Sequence, residues 1–283
     1  MSAWKVMGPG LPFCMRVRGL VPEKRASIGA VAARHRPSRP ALNAPFLILE
    51  TGQPVAAMRR HGTFPHWIRV AAGLGRDEAV VANVEGGHAL PDRAGFAGVI
   101  VTGSGAMVTD RHDWSERSAQ WLRDAAHDGL PLFGICYGHQ LIAHALGGEV
   151  GYNPAGREMG TIGLELHPHA SDDPLFAGLP PQFPAQATHL QTVLRAPDDA
   201  TVLARSPLDA CHAFRWRQHV WGVQFHPEFS STHMHGYVRA RRDALAREGH
   251  CAKQVSRTIT AAPHARRVLR RFVWHARHLQ ARR

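Results

Sequence analysis

The chain has 283 residues, 44% of them apolar and 20% charged, enough to bury a sizeable core, and no window is apolar for long enough to span a bilayer. Its formal charge of +12 sits at the two ends: residues 1–43 hold eight basic residues against one acidic, residues 239–283 hold 13 against two, and the segment 44–238 between them carries −6. That distribution reads as basic runs on solvated faces flanking a mildly acidic body, so neither a nucleic-acid nor a membrane partner is expected.

Residues 1–43 mix Arg, Pro, Gly and Ala without helical or alternating periodicity and are expected to form a poorly ordered extension. Order begins with a short apolar strand over 44–50, followed by a helix over 64–73 that ends at Gly73. Strands are predicted over 78–84 and 98–101, the second breaking into the small-residue loop Thr102-Gly103-Ser104-Gly105. An amphipathic helix spans 114–127, and the apolar run Pro131 to Ile135 is a strand buried on both faces. Strands alternating with helices in this order predict a parallel sheet with right-handed crossovers. Further on, extended segments are expected over 161–167, 184–189 and 200–204, and a strand pair over 210–215 and 220–225. Helices follow over 233–247 and 262–277, the latter needing burial for its Val268, Leu269, Phe272 and Val273 face. The domain reading is an extension over 1–43, a catalytic domain over 44–238 and a basic helical segment over 239–283. The four cysteines, Cys14, Cys136, Cys211 and Cys251, are scattered without paired spacing. This excludes a disulfide scaffold and a Cys-rich zinc site, and fits a reducing, cytoplasmic compartment.

The stretch Gly134-Ile135-Cys136-Tyr137-Gly138-His139-Gln140 runs from the buried strand straight into a helix that stops at Gly147-Gly148. A cysteine on such a turn projects from the carboxyl edge of the sheet, and the adjoining helix N-terminus favours its thiolate. Taken alone, a cysteine after a strand is more often a buried structural thiol. A second motif changes that reading: the apolar strand Trp221 to Phe225 ends in His226-Pro227-Glu228. A histidine at a strand end can take the thiol proton, and a carboxylate two residues later can fix its tautomer.

The elbow and the later His-Pro-Glu, in this order and spacing, resemble the class I (triad) glutamine amidotransferase domain, over roughly residues 45–238. The resemblance implies a three-layer α/β/α fold with a mostly parallel, flavodoxin-like central sheet. It also implies Cys136 as nucleophile, His226 as base then acid, and Glu228 as its orienting group, acting on the side-chain amide of glutamine through a γ-glutamyl thioester. By the same resemblance the backbone N–H groups of Tyr137 and Ser104 form the oxyanion hole, and Gln140, Gly103, Thr188 and His189 bind substrate. No cofactor and no metal are implied. Arg157-Glu158-Met159-Gly160 resembles the Arg-Glu-Tyr-Gly turn of relatives, and Thr188-His189-Leu190-Gln191 their Ser-His-Gly-Asp turn, here without its Gly-Asp pair. His139, His144, His167 and His212 have no partner visible in sequence and are read as structural. The chain shows no synthase-type nucleotide motif, so either ammonia would pass to a separate synthetase or the chain is a stand-alone member. The alternatives are a γ-glutamyl peptidase using the same triad and a non-catalytic regulatory subunit on this fold.

Overall fold

A computed structural model describes residues 44–281. The extension expected over 1–43 lies outside the described residues. Eleven strands and seven α-helices follow in chain order: β1 Phe46–Glu50, α1 Phe64–Ala72, β2 Ala79–Asn83, β3 Val99–Val101, α2 Asp113–His127, β4 Leu132–Ile135, α3 Tyr137–Ala145, β5 Glu149–Tyr152, β6 Glu158–Leu166, β7 Gln182–His189, β8 Gln191–Arg195, β9 Ala200–Arg205, β10 Ala213–Trp216, β11 Val220–Val223, α4 Ser231–Ala240, α5 Arg242–Arg247, α6 Ala252–Arg257 and α7 Pro263–Ala281. Nine strands form one sheet in the order β2-β1-β3-β4-β11-β10-β9-β6-β7, and β5 pairs with β8 separately. From β2 to β11 the pairing is parallel; from β11 to β7 it is antiparallel.

Alternation along the central strands builds the layers. In β1, Phe46 and Ile48 point to one face and join Phe133, Ile135 and the α7 residues Val268, Leu269 and Phe272. Leu47 and Leu49 point to the other face and join Leu132, with Ala119 and Leu122 of α2 and Leu141 and Ile142 of α3. The sheet is thus covered on both faces, as a parallel sheet requires. The α7 face expected to need burial lies against the sheet, with Phe272 packing on Phe133 at a ring separation of 5.1 Å. Helix α1 is capped by Thr63, whose side chain accepts from the His66 N–H, and it ends at Gly73 in the left-handed conformation, φ 77°.

Several elements depart from the sequence reading. The strand expected from Glu78 starts at Ala79, because residues 76–78 form a 3-10 turn in which the Glu78 carboxylate accepts from the Gly75 N–H. The turn expected over 157–160 is largely strand: β6 already pairs with β7 from Glu158. The single helix expected over 233–247 is interrupted at Arg241. Strands β5 and β8 and helix α6 carried no sequence signal. The two strands are short and stabilise each other, and α6 has six residues, too few to show a periodic face.

Candidate active site

Strands β4 and β11 are parallel neighbours in register, Val223 facing Ile135. Both chains therefore leave the sheet at the same edge, one into Cys136 and the other towards His226. The Cys136 N–H donates to the Val223 carbonyl at 2.8 Å, and its carbonyl accepts from Gln140 at 3.1 Å as α3 begins. Its backbone has φ 52° and ψ −102°, a conformation non-glycine residues rarely hold unless the surroundings enforce it. Gly134 and Gly138 make the turn sterically possible. A Cβ on Gly134 would collide with the Gly138 carbonyl, and one on Gly138 would sit 2.5 Å from the Val101 oxygen.

His226 is buried, with its Nδ1 hydrogen-bonded to Glu228 Oε1 at 2.8 Å. Its Nε2 has no hydrogen-bond partner among the described residues. Gly103 lies between the ring and the cysteine: a Cβ there would be 3.1 Å from His226 Cε1 and 3.8 Å from Cys136 Cβ. Burial by itself lowers the His226 pKa, but the Glu228 carboxylate and then the Cys136 sulfur outweigh it and raise the value to about 10. Phe229 stacks on the imidazole at 4.2 Å and is itself packed against Phe64 and Trp67 of α1. The sequence signal for Phe229 was its place immediately after Glu228.

Above the sulfur, the Thr188 carbonyl accepts from Cys136 Sγ at 3.9 Å. Tyr137 is the first residue of α3, a position whose N–H has no intrahelical acceptor. Ser104 sits in a loop anchored by a pair of threonines: the Thr51 N–H donates to Thr102 Oγ1 and the Thr51 hydroxyl to the Thr102 carbonyl, at 3.0 and 2.9 Å. Neither Ser104 nor its flanking glycines needs a positive φ, so the non-glycine residue fits the turn without strain. Ser104 is instead accommodated by Gly52, whose missing Cβ would lie 2.6 Å from Ser104 Oγ. Gln140 is buried, its Nε2 donating to the Gln191 carbonyl at 2.7 Å and to Gln224 Oε1 at 2.8 Å, and it lines the same pocket as Cys136. Gln191 ends the Thr188-His189-Leu190-Gln191 segment and begins β8. Its side chain turns to Thr109 Oγ1 and the Val108 N–H, closing the Ser104 loop.

His189 and His212 donate from Nε2 to one oxygen of buried Glu158, at 3.0 and 2.5 Å, and Ser206 donates to the other at 2.6 Å. Burial opposes ionisation of Glu158, yet the bonds from the two histidines hold its pKa well below the usual carboxylate range. His212 thus has a partner, contrary to the sequence reading, and so does His144, which contacts Arg111 and Glu116. Sequence could not pair His212 with Glu158 because they meet only through β6, β9 and β10. His139 is fully buried with neither ring nitrogen bonded to a side chain, and burial drives its pKa down to about 3. Glu158, His189 and His212 also bring three ligand-type atoms together. Their nitrogen-to-oxygen separations are hydrogen-bond lengths, whereas donors around a tetrahedral ion at ~2.1 Å stand about 3.4 Å apart. Cys136, Cys211 and Cys251 are free thiols.

The chain belongs to the class-I glutamine amidotransferase family, whose model matches residues 69–242. Among similar proteins, the glutamine-hydrolysing GMP synthase of Aeropyrum pernix is 42% identical over 146 residues, 52% of this chain and 26% of that protein. A glutamine-hydrolysing GMP synthase subunit of Methanopyrus kandleri is 30% identical over 61% of this chain and 87% of its own length. A gamma-glutamyl-L-1-hydroxyisopropylamide hydrolase of Pseudomonas sp. is 29% identical over 54% of each chain. The chain thus spans about a quarter of the first of these relatives and most of the second. In structure, a glutamine amidotransferase of Thermotoga maritima superimposes with a TM-score of 0.65 over 83% of this chain and 98% of the other, at 19% identity. One from Methylobacillus flagellatus gives 0.64 over 85% and 96%, at 20% identity. The α/β fold is therefore that of this family.

Proposed function

We propose that the chain hydrolyses a γ-glutamyl amide, with Cys136 as nucleophile, His226 as proton carrier and Glu228 as the group that orients it. The observation carrying this reading is the meeting of Cys136 and His226 across Gly103 at the ends of two paired strands, with Glu228 on the far ring nitrogen. The thiolate attacks the γ-carbonyl carbon. The oxyanion that forms takes hydrogen bonds from the backbone N–H groups of Tyr137 and Ser104. His226 gives its proton to the leaving nitrogen, the C–N bond breaks, and a γ-glutamyl thioester remains. Water, losing a proton to His226, attacks the thioester, releases the acid and restores the thiol. Glu228 holds the imidazolium that forms in each cycle, and the raised His226 pKa agrees with that role. Gln140, Gly103, Thr188 and His189 shape the glutamyl end of the pocket.

With glutamine as substrate the leaving group is ammonia, and the similarity to a GMP synthase subunit that is a chain of its own supports a separate synthetase as the acceptor. No helix of the described residues is long and apolar enough to cross a membrane. A second reading, hydrolysis of other γ-glutamyl amides or peptides, is supported by the similarity to a gamma-glutamyl-L-1-hydroxyisopropylamide hydrolase. Ammonia release from glutamine and amine release from γ-glutamyl peptides, measured side by side, decide between them. Cys136→Ala is expected to lower both rates by about 10⁴ or more. Full activity in that variant would end the nucleophile assignment.

A further inference from the structure

Arg241 stands at the interruption between α4 and α5, with φ −104° and ψ 13°, and its side chain lines the same pocket as Cys136 and Thr188. A second arginine, Arg157, lines the pocket as well, but Glu248 engages its guanidinium at two points, 2.7 and 2.9 Å. Arg241 differs. Its Nε is buried without a hydrogen-bond partner, and among the described residues no carboxylate pairs with it within ion-pair distance. No aspartate or glutamate lines the pocket beside the sulfur. Burial and then the neighbouring Arg157 lower the Arg241 pKa.

We propose that Arg241 is a specificity residue that binds a carboxylate of the substrate. The proposal rests on the γ-glutamyl reading and sharpens it. A guanidinium offers a planar fork of N–H donors that matches a carboxylate, and a half-buried one gains most from such a partner. A γ-glutamyl substrate can supply the carboxylate from its α-carbon or, when the leaving group is an amino acid or peptide, from beyond the scissile amide. The chemistry is the same in both cases.

The test compares the full chain with Arg241→Met and Arg241→Lys on four substrates: glutamine, glutamine α-amide, γ-glutamylglycine and γ-glutamylglycine amide. Loss of the fork is expected to raise KM by about tenfold or more with kcat little changed, and lysine should recover part of the loss. The KM penalty should vanish on whichever substrate has the relevant carboxylate amidated: the α-amide points to the glutamyl side, the glycine amide to the leaving side. Equal penalties on acid and amide forms, or an unchanged KM, would overturn the proposal. A second measurement does not depend on turnover. Site-resolved alkylation of Cys136 by iodoacetate relative to iodoacetamide should fall about fivefold or more in Arg241→Met, since the anionic reagent loses its attractor. An unchanged ratio sinks the role of Arg241, even in an active enzyme. A wild-type chain inactive on all four substrates but showing the ratio change would overturn the γ-glutamyl reading and leave a carboxylate-binding arginine.

Discussion

The parallel half of the sheet brings Cys136 and His226 together through main-chain pairing of β4 with β11, whereas the antiparallel half holds Thr188 and His189 in place through side chains gathered on Glu158. Where backbone register sets a distance, side chains are free to be chosen for chemistry. Where a wall depends on a buried carboxylate and two histidines, one of those groups, His189, must both hold the fold and face the pocket. The first arrangement is sensitive to steric intrusion, the second to loss of charge.

The largest effect should come from the antiparallel side. Glu158→Ala leaves two buried histidines without their acceptor and is expected to cost about 3–5 kcal/mol. Glu158→Gln, which keeps one acceptor oxygen, should be milder and should raise KM while iodoacetamide alkylation of Cys136 stays within about threefold of wild type. A collapse of thiol reactivity in the glutamine variant would show that the two halves are not separable. The charge also predicts a pH dependence. A carboxylate with a lowered folded pKa contributes stability that is present above its ordinary value of 4.5 and is lost as pH falls from there through the lowered value. Acid unfolding followed by circular dichroism should therefore be shallower in Glu158→Gln.

Gly138→Ala probes the other half. Its new Cβ would meet the Val101 carbonyl at 2.5 Å, backbone against backbone, so the elbow must move. A loss of about 1–3 kcal/mol is expected, together with a marked drop in Cys136 alkylation. Wild-type thiol reactivity in that variant would mean that the tight crossing is not what aims the sulfur.

A further expected effect concerns His226. Its pKa rises from 6.5 to about 10 on folding, so the protonated ring favours the folded state. That contribution is complete below about pH 6.5 and disappears as pH climbs through about 10. Thermal unfolding measured between about pH 6 and 11 should show the loss, and Glu228→Gln, which removes the strongest influence raising the value, should move the window to lower pH. A window that stays in place would separate Glu228 from the ring's charge.

What could be read from sequence follows the same division. The elbow and the His-Pro-Glu segment are local strings whose spacing and apolar flanks announce strand ends, and the family match covers them. The α7 face was legible as well, since Val268, Leu269, Phe272 and Val273 recur at helical spacing and end up in the core. The clasp of Glu158 on His189 and His212 was not, because it exists only after β6 and β7 pair and β9 and β10 fall in beside them. Arg241 was hidden inside a segment that reads as one helix, and nothing in its neighbours marks the interruption. Gly52 was invisible for another reason: its need for space arises from Ser104 on a neighbouring strand's loop.

The direct pairing of β4 with β11 also bears on how such a chain tolerates length change. Everything between Ile135 and Val220 can gain or lose residues at its turns without altering the gap between sulfur and imidazole, because that gap is measured across one ladder of hydrogen bonds. One residue inserted within either strand would instead turn every later side chain to the opposite face and carry Cys136 or His226 away from the other. Insertions and deletions among natural variants should accordingly gather in the intervening loops and be missing from residues 132–135 and 220–223.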